Sequence, residues 1–94
     1  MKLKFVSTGH GTFVHSDSVI ALSPPDSSPI KKLKKYAEEK GILVNLTSGR
    51  KARSVLVMNT GQVILSSVQT ETIVSKLNGI RARNEKESVS EFVE

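Results

Sequence analysis

Polar and apolar residues alternate over Lys2-Leu3-Lys4-Phe5-Val6-Ser7, as they do in a half-buried strand. Gly9-His10-Gly11 breaks the alternation with a tight turn or bulge, and Thr12-Phe13-Val14 reads as a second short strand. After a turn at Asp17-Ser18, Val19-Ile20-Ala21-Leu22 is continuously apolar, which predicts an interior strand buried on both faces. Pro24-Pro25-Asp26-Ser27-Ser28-Pro29 cannot join a regular element and ends in a helix start. Ser28 is the expected N-cap and Pro29 the first helical residue, with the helix running to about Lys40 and Gly41 stopping it. Ile30, Leu33 and Ala37 fall on one face of that helix, with Tyr36 beside it.

Ile42, Val44 and Leu46 occupy one face of the next predicted strand, and Ser54 to Met58 is apolar on both faces, as a central strand is. Asn59-Thr60-Gly61-Gln62 predicts a hairpin turn back through Val63 to Val68, so these two strands must be antiparallel. Thr70 is the expected N-cap of a shorter helix over Glu71 to Asn78, with Ile73, Val74 and Leu77 inward and Gly79 as its stop. The expected fold is α+β, a small, mostly antiparallel sheet with one longer and one shorter helix packed on it. Residues 1–79 form its single domain and 80–94 a charged, flexible tail, in which 84–94 alternate charge and serine as a frayed helix or a disordered segment does.

Composition adds function classes to that outline. The chain has 94 residues, 37% hydrophobic and 24% charged, as in soluble globular proteins. It has no cysteine, which excludes disulfides, a thiolate nucleophile and a cysteine zinc site. Met1 to Val6 lack the apolar stretch of a secretory signal, and no later apolar run approaches membrane-spanning length. The expected location is the cytoplasm, without a membrane partner.

The net charge of +5 is unevenly placed: residues 80–94 carry −1 and residues 1–79 carry +6. A basic body of this kind suits a polyanion, most commonly nucleic acid. Its densest cationic segment is Thr47-Ser48-Gly49-Arg50-Lys51-Ala52-Arg53, between two predicted strands. Gly49 accepts a positive φ, Arg50 offers a planar fork to phosphate oxygens, and Lys51 and Arg53 add charge. The same seven residues also read as an ordinary solvated turn. Lys31, Lys32, Lys34 and Lys35 crowd the start of the first helix, where the dipole is already positive, and Lys34–Glu38 and Lys35–Glu39 pair at i,i+4. Lys31 and Lys32 either extend the basic surface or form a solvated face.

Catalytic chemistry finds no constellation here. His10 and His15 have only Asp17 near them in sequence, too few donors for a metal site. No serine stands in a Gly-x-Ser-x-Gly setting, and the carboxylates sit mainly in the acidic half of one helix and in the tail. Gly9-x-Gly11 is not followed by a helix, as a dinucleotide cradle requires. No enzyme activity, cofactor, metal or small-molecule ligand is expected.

Several motifs in order then carry a resemblance. Lys4-Phe5, Gly9-x-Gly11, Val19-Ile20, the proline-rich turn into Ser28-Pro29-Ile30-Lys31, Gly41 before a strand, Gly49-Arg50-Lys51-x-Arg53-x-Val55 and Val63-Ile64-Leu65-Ser66-x-Val68-Gln69-x-Glu71-Thr72 together resemble the RemA family of bacterial regulators. The resemblance spans about residues 3–78. It implies a DNA-binding transcriptional regulator whose subunits assemble into a ring around which DNA bends. It also implies DNA contact by the basic pair after the glycine, here Arg50 and Lys51, with Arg53 in the same loop. A further family arginine, ahead of the third strand, falls at Ser18, and Lys51 stands where the family has a second arginine, keeping the charge without the bidentate fork. Ser18, Lys31 and Lys32 are the secondary candidates for DNA contact. The family's link to extracellular-matrix genes does not carry over.

Magnitude also favours an oligomer, because three cations supply at most about three phosphate contacts, each about 0.9 in the slope of log K against log salt. Several loops on one rigid assembly act at high effective concentration. With no base-reading helix evident, DNA contact is expected mainly at phosphates, with preference set by shape. Two other readings stay open. RNA binding would need exposed aromatics, and the chain has Phe5, Phe13, Tyr36 and Phe92, at least two of them in apolar strand positions. A structural assembly module would use the basic loop for protein contacts instead.

Overall fold

The computed structural model describes residues 4–89, with side chains as far as residue 79. β1 (Phe5–Gly9) and β2 (Thr12–His15) form an antiparallel two-stranded sheet. A 3-10 turn over Ser16–Ser18 leads to β3 (Val19–Ser23), α1 (Ser28–Lys40), β4 (Leu43–Asn45), β5 (Ser54–Met58), β6 (Val63–Ser66) and α2 (Thr70–Val89). The second sheet has the order β3-β5-β6-β4, antiparallel except for β4 against β6. The α+β class holds, with the strands divided between two sheets.

β5 and β6 take the middle of the larger sheet because both their faces are apolar. On one face Val55, Val63 and Leu65 pack with Ala37 of α1. On the other, Leu56, Met58 and Ile64 pack with Ile73 and Leu77 of α2, and with Val6 and Val14 of the β1–β2 hairpin. The sheet is a middle layer, with α1 on one side and α2 and the hairpin on the other. Leu56 and Ile73 are fully buried, and each such side chain contributes roughly 1.5–3 kcal/mol by its transfer from water.

Several expectations are corrected. Val19 to Leu22 is not an interior strand: β3 pairs only with β5, and its register shifts between Val19 and Ala21, so Ile20 sits in a bulge and is 66% exposed. A run of apolar residues cannot tell burial within one chain from exposure at an edge. Phe5 and Phe13 are likewise exposed, on the outer face of the hairpin, because Val6, Thr8 and Val14 take the inner one. Ile42 precedes β4 and packs on the α1 side, while Val44 and Leu46 pack on the other, since the Ile42 amide still closes the end of α1 on the Ala37 carbonyl at 2.9 Å.

The helix boundaries also move. Ser27, not Ser28, caps α1, its Oγ accepting from the Ile30 amide at 3.4 Å, while Gly41 ends it in the left-handed region at φ 74°. Thr70 is the first residue of α2 and not its cap. α2 continues through Gly79, which keeps a negative φ. A glycine inside a helix costs only about 1 kcal/mol against alanine, and the arginines, glutamates and lysine that follow are good helix formers. The second helix is therefore the longer, and Val74 on it is 38% exposed instead of inward. The flexible character expected of 80–94 concerns side chains, and for 90–94 a backbone, that lie outside the described residues.

Replacing Leu56 by alanine is expected to lower unfolding stability by about 2–5 kcal/mol, because both layers on that face close over it. Urea unfolding followed by circular dichroism measures the change.

Candidate nucleic-acid interface

The basic loop joins β4 to β5, two strands that are not neighbours, so it must cross the end of β6 between them. β6 holds it on both sides: the Leu46 amide donates to the Leu65 carbonyl at 3.0 Å and the Arg53 amide to the Ser66 carbonyl at 2.8 Å. Within the loop, the Asn45 Oδ1 accepts from the Thr47 amide at 2.9 Å and from the Thr47 hydroxyl at 2.6 Å. Thr47 is thereby buried, and Ser48-Gly49 turn the chain with the Arg50 amide donating to the Thr47 carbonyl at 3.0 Å. Both turn residues have positive φ, 55° for Ser48 and 80° for Gly49, the pattern of a type I′ turn.

The turn leaves Arg50, Lys51 and Arg53 exposed, while Ala52 packs against the α1-side core. Among the described residues none of the three cations makes an ion pair. The far end of the loop is fixed to α2 by the Thr70 hydroxyl, which donates to the Arg53 carbonyl at 3.2 Å. That bond occupies the hydroxyl expected to cap the helix.

The two sides of the loop differ in charge. On one side Lys51 and Arg53 share a depression with Asp26 and Glu71, so positive and negative groups mix. On the other, Arg50, Lys51 and Arg53 line a concavity of about 410 Å³ with His10 and Ser67, and no described carboxylate lines it. An anion is therefore favoured on the His10 side. α2 begins at this end of the sheet, and α1 begins two residues after Asp26, so both positive helix termini add to the field there.

The remaining candidates are distributed unequally. Lys31 and Lys32 are exposed near the start of α1, at the same end of the sheet as the loop. Ser18 is not: its carbonyl accepts from the Asn59 amide at 2.7 Å, which places it beyond the opposite end of β5 from Arg53. Within one subunit it does not join the basic loop. His10 and His15 are also apart, His10 in the hairpin turn and His15 on β2 with its ring edge-on to Phe5, centroids 5.2 Å apart. His10 as a neighbour of the cations was missed by sequence reasoning. The glycines on both sides of it marked a tight turn, but nothing local said where that turn would dock.

Residues 5–77 match the RemA-like family, described as "Extracellular matrix regulatory protein A-like". The chain belongs to that family. Among its RemA-like relatives, proteins named "Putative regulatory protein" share 41% identity over 78 residues in Carboxydothermus hydrogenoformans, covering 83% of this chain and 90% of the relative. In Geobacillus kaustophilus the figures are 44% over 79 residues, 84% and 91%, and in Alkaliphilus metalliredigens 37% over 92 residues, 98% and 99%. The RemA-like family and these relatives are regulatory proteins by name, and none of these names states an enzyme activity. No helix among the described residues is long and apolar enough to cross a membrane.

In this RemA-like chain the presentation of Arg50 depends on Asn45. Asn45→Ala leaves the amide and hydroxyl of buried Thr47 without their acceptor, and a loss of about 1–3 kcal/mol is expected from such unpaired groups. Denaturant unfolding checks the stability, and faster amide exchange confined to residues 46–53 checks the local origin.

Proposed function

We propose that this RemA-like protein is a DNA-binding transcriptional regulator that assembles with copies of itself into a ring and grips the DNA backbone with the Arg50, Lys51 and Arg53 loop. The observation that carries the reading is the pairing of a rigidly held turn with three exposed cations free of ion pairs among the described residues. A fixed loop loses little conformational entropy when it meets phosphate. It offers no edge-reading element, so its contacts position the DNA and sequence preference comes from shape and bendability.

Exposed apolar residues support the assembly. Phe5 and Phe13 stand over a groove with Ser75 and Lys76 on one flank of α2, and Ile20 and Val74 line a groove on the other flank. Two different apolar patches on opposite flanks suit a head-to-tail contact, in which one patch of each subunit meets the other patch of the next. Such contacts close into rings where the rotation allows. Ser18 lies at the foot of β3, two residues before Ile20, so in a ring its nearest basic loop need not be its own.

The exposed Phe5 and Phe13 also favour a second reading, RNA held by base stacking. Competition separates the two. Single-stranded RNA that displaces duplex DNA, with the competition lost in Phe13→Ala while the mass of the assembly is unchanged, supports RNA.

Solution mass determined alone and with a duplex of about one hundred base pairs, while salt is raised, tests the main reading. A multi-subunit species whose log K falls with a slope well beyond about three phosphates supports the ring. A monomer, or an oligomer indifferent to DNA at low salt, overturns it, the second outcome leaving an assembly module. Arg50→Ala is expected to weaken binding to all duplexes by similar factors, with about 0.9 less salt slope for every loop engaged. A changed sequence preference measured on a panel of duplexes defeats the backbone-contact mechanism. Ile20→Glu is expected to reduce the assembly to monomers by light scattering, with each subunit still folded by circular dichroism because the side chain is exposed in the single chain.

A further inference from the structure

The hairpin turn at Gly9-His10-Gly11 is built with unusual care for a surface turn. Its three residues all have positive φ, 97°, 54° and 77°. The Thr12 hydroxyl bonds the Gly9 carbonyl at 2.5 Å, and the Thr8 and Thr12 hydroxyls meet at 2.6 Å. The turn is then docked onto the end of β6: the Ser66 hydroxyl donates to the Thr8 carbonyl at 2.9 Å. A Cβ on Gly9 would stand 3.2 Å from both the Ser67 Oγ and the Val68 Cγ2, so those side chains would have to give way, and the φ of 97° favours glycine as well. The result is a histidine, in a left-handed conformation uncommon for side-chain-bearing residues, on the wall of the all-basic concavity.

We propose that His10 completes a phosphate-binding cup with Arg50, Lys51 and Arg53, and that its protonation strengthens phosphate binding as pH falls. The inference deepens the DNA reading and rests on the same loop. The cup brings donors from three separate segments: the hairpin turn, the basic loop and Ser67 after β6. A histidine changes charge between about pH 5 and 8. The charged groups that face it are Arg50, Lys51 and Arg53, and among the described residues no carboxylate lines the cup; Asp26 and Glu71 lie on the other side of the loop. A charged imidazole adds a fourth cation to the wall of the cup, so affinity for phosphate increases as pH falls through that window.

The test compares the full-length chain with His10→Asn, a neutral replacement that tolerates positive φ. Duplex DNA affinity, measured between pH 8 and 6 at constant ionic strength, is expected to rise about fivefold or more in the native chain and less than twofold in the variant, since one added contact is worth about 0.9 in log K for each decade of salt. NMR follows the ring resonances of His10 and His15 at fixed pH as inorganic phosphate or a short duplex replaces chloride. His10 is expected to move with both ligands and His15 with neither. Inorganic phosphate moving His10 while duplex DNA fails to bind makes the cup a site for free phosphate, so the DNA reading falls and this inference stands. Duplex binding that is weakened by Arg50→Ala but keeps its full pH dependence in His10→Asn overturns the inference and leaves the DNA reading intact. A His10 resonance unmoved by either ligand overturns it as well.

Discussion

The C-terminal end of β6 is the point on which the basic face depends. Its last carbonyls hold the basic loop on both sides, through the amides of Leu46 and Arg53, and its last hydroxyl holds the hairpin turn through the Thr8 carbonyl. The same Ser66 Oγ accepts from the Val68 amide at 3.0 Å, shaping the short link into α2. Three chain segments remote in sequence are thus located by one buried strand end. Because all four residues of β6 are buried, the strand cannot shift its register without exposing its apolar side chains, and the face inherits that rigidity.

The larger sheet explains why the cations gather at one end. β3, β4 and β6 all finish there, and the connections that leave them are the proline-rich turn, the basic loop and the link to α2. The opposite end holds the Asn59–Gln62 turn and Ser18. A parallel β4–β6 pair is needed for this arrangement: it places the end of β4 beside the end of β6, so that a short loop reaches across to β5.

What was legible in the sequence follows the range of the interaction that decides it. The hairpin around Gly61, the stop at Gly41 and the exposed position of Arg50, Lys51 and Arg53 rest on contacts within a few residues, and periodicity and turn chemistry located them. The edge position of β3 was hidden because Val19 to Leu22 are as apolar as an interior strand. Ile20 is exposed because β3 is an edge strand whose register breaks at that residue. Thr70 had the composition of a cap but found an acceptor in the Arg53 carbonyl, 17 residues earlier, and so served the tertiary structure instead. His10 joined the cations through Thr8, Gly9 and Ser66, a link across more than fifty positions that no local pattern records.

The bulge at Ile20 bears on whether a chain with uncovered apolar side chains can grow by open-ended strand pairing. A sheet edge presents a row of unpaired amides and carbonyls that invites further strands without limit. In the larger sheet both edges are unsuited to that: β3 has its register broken at Ile20, and β4 spans only Leu43–Asn45. Strand addition is therefore disfavoured at each margin of that sheet. A contact through side-chain surfaces has instead a finite area and a definite angle, which is the condition for an assembly that terminates.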